Sequence, residues 1–377
     1  MTTSYWLSEP APAFRSVTVD DPDVVVVGAG VTGCAAALRL AQAGKRVRLV
    51  DGREVAGGAS GRNGGFALRG MPAAFDITSE SVGEETARDL MAWTERAIDT
   101  IESLAGDSFR RVGSLRIAVD EEERDELRVE YESLVAAGFR AEWLEGHELH
   151  DPGRFTAALR HVPDGVLQPA RWVRRLAGLA ADAGVEIREH TRVAALDELG
   201  SATVVVCVDG YPSGLLGPIE GLVIPTRGQV IATEPIPERL FEVPHYGRHG
   251  YDYWHQDEAG RIVAGGFRDV ALETEFTADE LLTEPVQRAL QSFVNGLVGR
   301  DLRVDFAWAG IFGMVMDFLP IVGRAPGLEN VWVAGGYSGH GNVLGFACGE
   351  LVARAVAGED VPFLDVLDPA RLLNADA

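Results

Sequence analysis

The sequence predicts a mixed α/β fold of two domains, one of them assembled from separated stretches of chain. Three observations carry this. Val24–Val27 is an unbroken valine run, the mark of a strand buried on both faces, and a glycine turn and an apolar helix follow it. Arg46–Val50 is a second short strand ending at Asp51, which completes a βαβ unit. Near the other end, Val331–Ala334 is another buried run that opens into a glycine-rich turn and a long apolar helix.

Residues 1–22 contain Pro and Asp without periodicity and read as an extended lead-in. The first helix spans about Cys34–Ala43, with Gly44 at its C-terminal cap. Gly57–Gly70 is a glycine-rich loop too long for a simple turn. Residues 83–105 and 120–137 read as amphipathic helices, and Arg171–Ala183 as a helix leading to a strand at Val185–Arg188. Val204–Val208 is a buried strand and Val230–Thr233 another. Tyr251–Gln256 and Arg261–Gly265 form a hairpin through Asp257–Gly260. Residues 278–298 read as helical, and Gly358 stops the last helix. The two-ended βαβ pattern assigns 18–80, 155–220 and 305–377 to a discontinuous first domain. Residues 81–154 and 221–304 form a second, mixed-sheet domain with helices.

Charge narrows the function. The 377 residues hold 34 basic and 57 acidic side chains, a net charge of −23, which repels nucleic-acid phosphates and anionic lipid. No run of apolar residues is long enough for a transmembrane segment, and the N-terminal stretch lacks the basic and apolar parts of a signal peptide. Three dispersed cysteines without a CxxC pair suit a reducing, cytoplasmic setting. His245 and His249 have helical ligand spacing, but Gly247 and Gly250 argue against a helix there. No cysteine or acid completes a set, so no metal is expected.

Gly28-Ala29-Gly30-Val31-Thr32-Gly33 is a GxGxxG fingerprint placed between strand and helix. Gly28 permits the turn, Gly30 lets the backbone approach a pyrophosphate, and Gly33 lets helix and strand pack. The helix start, with Val31 and Thr32, offers N–H groups and partial positive charge to phosphates. Asp51 suits the hydroxyls of an adenosine ribose. The fingerprint alone leaves NAD and FAD open.

Two further segments decide between them: GASGRNGG soon after Asp51, and GGYSGHGN before the last long helix. With these, the chain resembles the FAD-dependent glycine/D-amino-acid oxidase superfamily, and within it the γ-glutamylputrescine oxidoreductase branch. The likeness includes Ser4–Leu7, Pro225–Gln229, the hairpin end at Gly265-Gly266, and Asp317–Gly323. It implies a Rossmann-like FAD-binding domain beside a substrate domain, in a glutathione-reductase-type two-domain architecture. It implies non-covalent FAD, because Gly310 stands at the position of a cysteine linkage, and Arg62 and Asn63 stand where a histidine linkage would be.

The resemblance implies that Gly52 and Arg53 beside Asp51, and Val193, lie near the adenosine. Gly58, Ala59, Ser60, Arg62, Asn63, Gly64 and Gly65 would run along the pyrophosphate and flavin. Asp317 would hold the ribityl chain or merely end a strand. Gly336, Tyr337, Ser338, Gly339, His340, Gly341 and Asn342 would meet the pyrimidine edge, where a helix start stabilises negative charge. Tyr251 and Tyr253 would line the substrate pocket, with Phe312 as a wall. His340 would face ring or substrate. Arg69 would neutralise a substrate carboxylate, with Arg227 and Arg268 as weaker candidates.

The implied activity is oxidation of the CH–NH bond of an amine or amino acid to an imine, by hydride transfer to flavin. Molecular oxygen or another acceptor would take the electrons. A dehydrogenase with a non-oxygen acceptor and a catalytically silent FAD-binding subunit stand as alternatives. Two departures from the family pattern are visible. Only Ala194–Thr203 stands where relatives insert a β-meander, and Val208-Asp209-Gly210 replaces the usual Ala-Thr strand ending. Lys45 is the one lysine, at the end of the first helix, so a lysine above the flavin to assist oxygen is not expected.

Overall fold

A computed structural model describes residues 3–373 apart from His150, Pro152 and Ser201. Met1 and Thr2 of the lead-in, and 374–377 of the last expected domain range, lie outside the described residues. Three sheets organise the chain. The first has six strands in the order Ile321–Arg324, Val331–Gly335, Thr203–Val206, Val24–Val27, Val47–Val50 and Glu186–Arg188. All neighbours run parallel except the first pair. Its central strands are valine-rich because both faces are covered: helices Val31–Gln42, Pro169–Asp182 and Gly341–Val356 pack on one, and Leu215, Leu216, Ile219, Val223 and Val315 on the other.

The second sheet has eight strands: Val304–Met314, Ile224–Thr233, Ile262–Gly266, Asp252–Gln256, His245–Gly247, Ser114–Ala118, Ala157–His161 and Ala141–Glu145. Two of these, Ala157–His161 and all but the first residue of Val304–Met314, fall in ranges expected for the first domain, and they pair here. Their register explains it: Val304–Met314 runs antiparallel along the whole length of Ile224–Thr233. A small third sheet, Phe66–Ala67, Gly165–Leu167 and Phe109–Arg111, joins the glycine-rich loop to the long helix Glu84–Ala105 through Phe109.

The expected helices at 83–105, 120–137 and 171–183 are present as Glu84–Ala105, Glu121–Ala136 and Pro169–Asp182. The helix expected over 278–298 starts later, at Glu284, and the sequence reading omitted Phe75–Val82. Between Arg188 and Thr203 the described residues hold one short turn of helix, Leu196–Leu199, and no strand. The lead-in is not free chain. Ser4 accepts from Trp6 N–H, and buried Trp6 donates its Nε1–H to Asn63 O at 2.7 Å, so it props the glycine loop from behind.

Candidate active site

The carboxyl ends of the parallel strands open onto a cleft of about 340 Å³. Gly28, Gly30, Val31, Thr32, Asp51, Gly52, Arg53, Gly58, Ala59, Ser60, Asn63, Val193, Tyr337, Gly339, Gly341 and Asn342 all line it. Gly28 sits at φ +107, and a Cβ there would lie 2.4 Å from Cys207 O. A Cβ on Gly30 would lie 2.8 Å from Ser60 Oγ, which accepts the Val31 N–H at 3.0 Å. Gly33 does not line the cleft. It lets the helix touch the turn, since a Cβ there would sit 1.7 Å from Gly28 O. Asp51 accepts from Ala29 N–H at 2.6 Å and Arg53 N–H at 2.7 Å. Burial pushes its carboxyl up, and these two N–H groups partly offset that.

Several expected cofactor contacts lie elsewhere. Arg62 turns into the protein, donating Nε–H to Gly57 O at 2.9 Å and Nη1–H to Ala309 O at 3.3 Å, with Glu280 3.8 Å away. Gly64 and Gly65 are packing positions: a Cβ on Gly64 would strike the Tyr253 ring, and one on Gly65 would strike Leu167 O. Gly336 lies off the cleft at φ +75, with its N–H donated to Asp209. Ser338 Oγ accepts the Val315 N–H and borders the neighbouring chamber instead. Asp317 lines neither space, because its carboxylate pairs with Arg371 at 2.8 and 3.1 Å on the surface.

Asp209 is the residue that sequence reasoning missed. It lines the cleft, and its half-buried carboxylate accepts Gly313 N–H at 2.9 Å and Gly336 N–H at 2.8 Å, tying the second sheet to the last glycine turn. The departure at Val208-Asp209-Gly210 was the available signal. A second missed group is Glu280, which accepts from Arg53 and from Tyr211 OH, both at 2.7 Å, and so pins a substrate-side segment beside the cleft.

Asn63 and Phe312 line the cleft and also a chamber of about 170 Å³ beyond it. Register builds the chamber floor. Trp308, Val230, Gly265, Tyr253, Tyr246 and Arg116 are successive cross-strand partners and so share one sheet face. Tyr253 lies flat over Gly265, where a Cβ would come within 2.3 Å of its ring. Two residues on, His255 bonds Gly64 O at 2.9 Å and stacks on Trp6.

His340 is the N-cap residue of the last long helix and lines the chamber, with its ring edge-on to Tyr246. Neither ring nitrogen has a hydrogen-bond partner among the described residues. Burial, with Arg116 behind it, pushes the imidazole down to about 3, so it is neutral at pH 7. Arg268 lines the opposite wall, stacked 4.4 Å from Tyr251 and 5.8 Å from Phe312, with a buried Nε that has no partner among the described residues. Tyr251 therefore backs the guanidinium rather than lining the chamber.

Arg69, expected to meet a carboxylate, faces away. Its guanidinium is fully buried and committed to Glu95, His161 Nδ1 and Arg140 O. Arg69 follows the short strand Phe66–Ala67, where the chain runs along the helix Glu84–Ala105 and turns its side chain toward Glu95. Arg227 is likewise spent on Glu275, at 2.7 and 2.8 Å. Among the described residues no group of His, Cys, Asp and Glu could hold a metal ion, and no helix is long and apolar enough to cross a membrane.

The residues present fit FAD. The first helix begins at Gly30 without a side-chain cap, facing a cleft whose glycines leave no room for side chains. The last helix begins beside two unpartnered imidazole nitrogens. Comparison with known proteins agrees. The chain is 28% identical to the probable oxidoreductase OrdL of Haemophilus influenzae, over 91% of this chain and 84% of that protein. It is 27% identical to the γ-glutamylputrescine oxidoreductase of Escherichia coli K12, over 89% and 84%. Its fold superposes on glycine oxidase from Geobacillus kaustophilus with a TM-score of 0.75 at 22% identity, covering 93% of this chain and 98% of that one. The DAO family pattern, described as FAD dependent oxidoreductase, matches residues 23–355, and the chain belongs to this family of FAD-dependent oxidoreductases.

Proposed function

We propose that this enzyme oxidises the CH–NH bond of a small amine that carries a carboxylate, giving an imine that water then hydrolyses. One observation carries the choice of substrate: the half-buried Arg268 guanidinium, with an unpartnered buried Nε, faces a chamber that adjoins the cofactor cleft. A carboxylate is the group that satisfies a guanidinium in such a place. When bound, FAD supplies the two-electron acceptor.

The chain's own residues orient and dry the substrate. Arg268 anchors its carboxylate, while Tyr253 and Phe312 exclude water around the reacting carbon. Neutral His340 offers one N–H and one lone pair, so it hydrogen-bonds to the substrate or ring without adding charge. Hydride abstraction from a neutral amine requires no strong base, and among the described residues no carboxylate lines the chamber. Lys45 is exposed on the far end of the first helix, which supports an acceptor other than oxygen or an oxygen reaction without lysine help. The three free, buried cysteines support a reducing, cytoplasmic setting.

The test is anaerobic bleaching of the bound flavin. Glycine, sarcosine, L-proline and D-alanine are expected to bleach it, and putrescine and spermidine to do so at least tenfold more slowly. Faster bleaching by the polyamines removes the carboxylate reading. Bound flavin that no amine bleaches favours the silent FAD-binding subunit.

A further inference from the structure

Behind Tyr246 runs a buried chain of polar groups that the proposed reaction leaves without a role. Arg116 is the cross-strand partner of Tyr246, and its guanidinium lies 5.7 Å from that ring's centre. Its Nη1–H donates to Glu130 Oε2 at 2.7 Å, and Glu130 is 2% exposed. Glu130 comes from the helix Glu121–Ala136, which packs against the strands of Arg116 and His161. Its other oxygen lies 4.0 Å from His161 Nε2. His161 Nδ1 accepts from Arg69, so the neutral ring carries its proton on Nε2, toward Glu130. Arg69 then reaches Glu95 at the protein rim.

The order of charge matters. Neither Arg116 nor Glu130 lines the chamber, but Arg116 lies against the ring of Tyr246, which does, and Arg116 is the charge of the pair that acts on His340. The pair is a dipole with its positive end toward the substrate, in an interior that screens it weakly. The titratable and charged groups lining the chamber are Arg62, Arg268, Tyr246, Tyr253, His249 and His340. Behind Tyr246, Arg116 also faces His161 and Asp164, whose carboxyl burial raises to about 6 against the pull of Arg69 and Arg116. The two tyrosines are pushed up by burial and stay protonated, and His161 and His340 are pushed down and stay neutral. His249 sits at the exposed rim, 3.6 Å from Glu126, and Arg62 is bonded to backbone oxygens. No carboxylate lines the chamber among the described residues, so no anion there pairs with an ammonium.

We propose that Arg116, anchored by Glu130, is a positioning residue that acts across the Tyr246 ring to hold the substrate's nitrogen as the neutral amine. The N–H bond of the incoming ammonium breaks, its proton leaves to water, and the electron pair stays on nitrogen, ready for oxidation. This rests on the amine-oxidation reading.

The test is the pH dependence of the limiting rate of anaerobic flavin reduction by sarcosine, or by whichever of the four carboxylated amines bleaches fastest. The acid limb of that profile reports the bound amine. Arg116→Met removes the cation and is expected to move the limb up by about one pH unit. Glu130→Gln leaves the cation unneutralised and is expected to move it down. A structural role for the ion pair predicts the same direction in both, because both variants break the same contact. A limb that does not rise in Arg116→Met, or does not fall in Glu130→Gln, overturns the proposal. Should Arg116→Met not fold, Glu130→Gln decides alone. Wild-type flavin that none of the four amines reduces refutes the reading beneath, and this inference falls with it.

Discussion

The cofactor cleft and the substrate chamber share a wall at Asn63 and Phe312, yet they are made of opposite materials. The cleft is shaped by backbone and by the absence of Cβ atoms, at Gly28 and Gly30, with Gly33 fixing the turn behind. The chamber is shaped by large side chains from distant segments: Tyr246 and Tyr253 on neighbouring strands, Arg268 past the hairpin, Phe312 on the long edge strand and His340 at a helix start. A site made of backbone tolerates almost no substitution. A site made of side chains can be retuned one residue at a time, so substrate choice can change while the cofactor stays.

The contrast is sharpest at Gly33. A valine there would place its Cβ inside the van der Waals radius of Gly28 O, and we expect more than about 4 kcal/mol of lost stability, with no flavin retained. Flavin content and thermal unfolding measure this; a yellow, stable Gly33→Val protein would break the account of the cleft.

The chamber side is tested by two arginines. Arg268→Met is expected to lower kcat/KM for a carboxylated amine about 100-fold with little change in stability, since it removes a charged anchor. Arg69→Met should do the reverse, costing about 3 kcal/mol by stranding its buried partners, without changing the preference for carboxylated over carboxylate-free amines. Exchanged outcomes would restore Arg69 as the substrate anchor.

Acid stability separates the two regions next. His255, behind the glycine loop, is buried and pushed down to about 4. Its folded value lies below the unfolded one, so its contribution is present above about 6.5 and is lost as pH falls toward 4. It amounts to about 3 kcal/mol over that window. Asp164, buried and raised to about 6, runs the other way: its contribution is present below about 4 and lost as pH rises through 6. His255→Gln should flatten the fall in Tm between pH 6.5 and 4. An unchanged slope would assign acid lability to other groups. The smallest effect expected is from Lys45→Met, which should leave the rate of oxygen reaction within about twofold, because Lys45 is exposed at the end of the first helix, away from the chamber.

These differences also explain what the sequence made legible. The cleft could be read because its parts are local: strand, fingerprint, helix, second strand and Asp51 follow one another within a single βαβ unit. The chamber could not, because its charges are sorted by long-range pairing. Arg69, Arg227 and Arg268 look alike in the sequence. Only the fold shows that Glu95 takes the first, Glu275 the second, and no carboxylate of the described residues takes the third. Arg62 and Asp317 lie off the cleft for the same reason, each bonded to a partner distant in the sequence or in the C-terminal segment. Asp209 was visible as an anomaly, but its role depends on Gly313 and Gly336, which no spacing rule connects to it.

The order of strands in the six-stranded sheet has a consequence for how the molecule is made. Its strand Thr203–Val206 lies between Val24–Val27 and Val331–Gly335, so the sheet joins strands as far apart in the sequence as these two. Its last pieces, and the final glycine turn of the cofactor cleft, leave the ribosome after the entire second sheet. Such long-range parallel pairing is slow to form and leaves strand edges exposed meanwhile. Full capture of the flavin therefore waits for the turn at 337–342, which closes the cleft after the second sheet has been made.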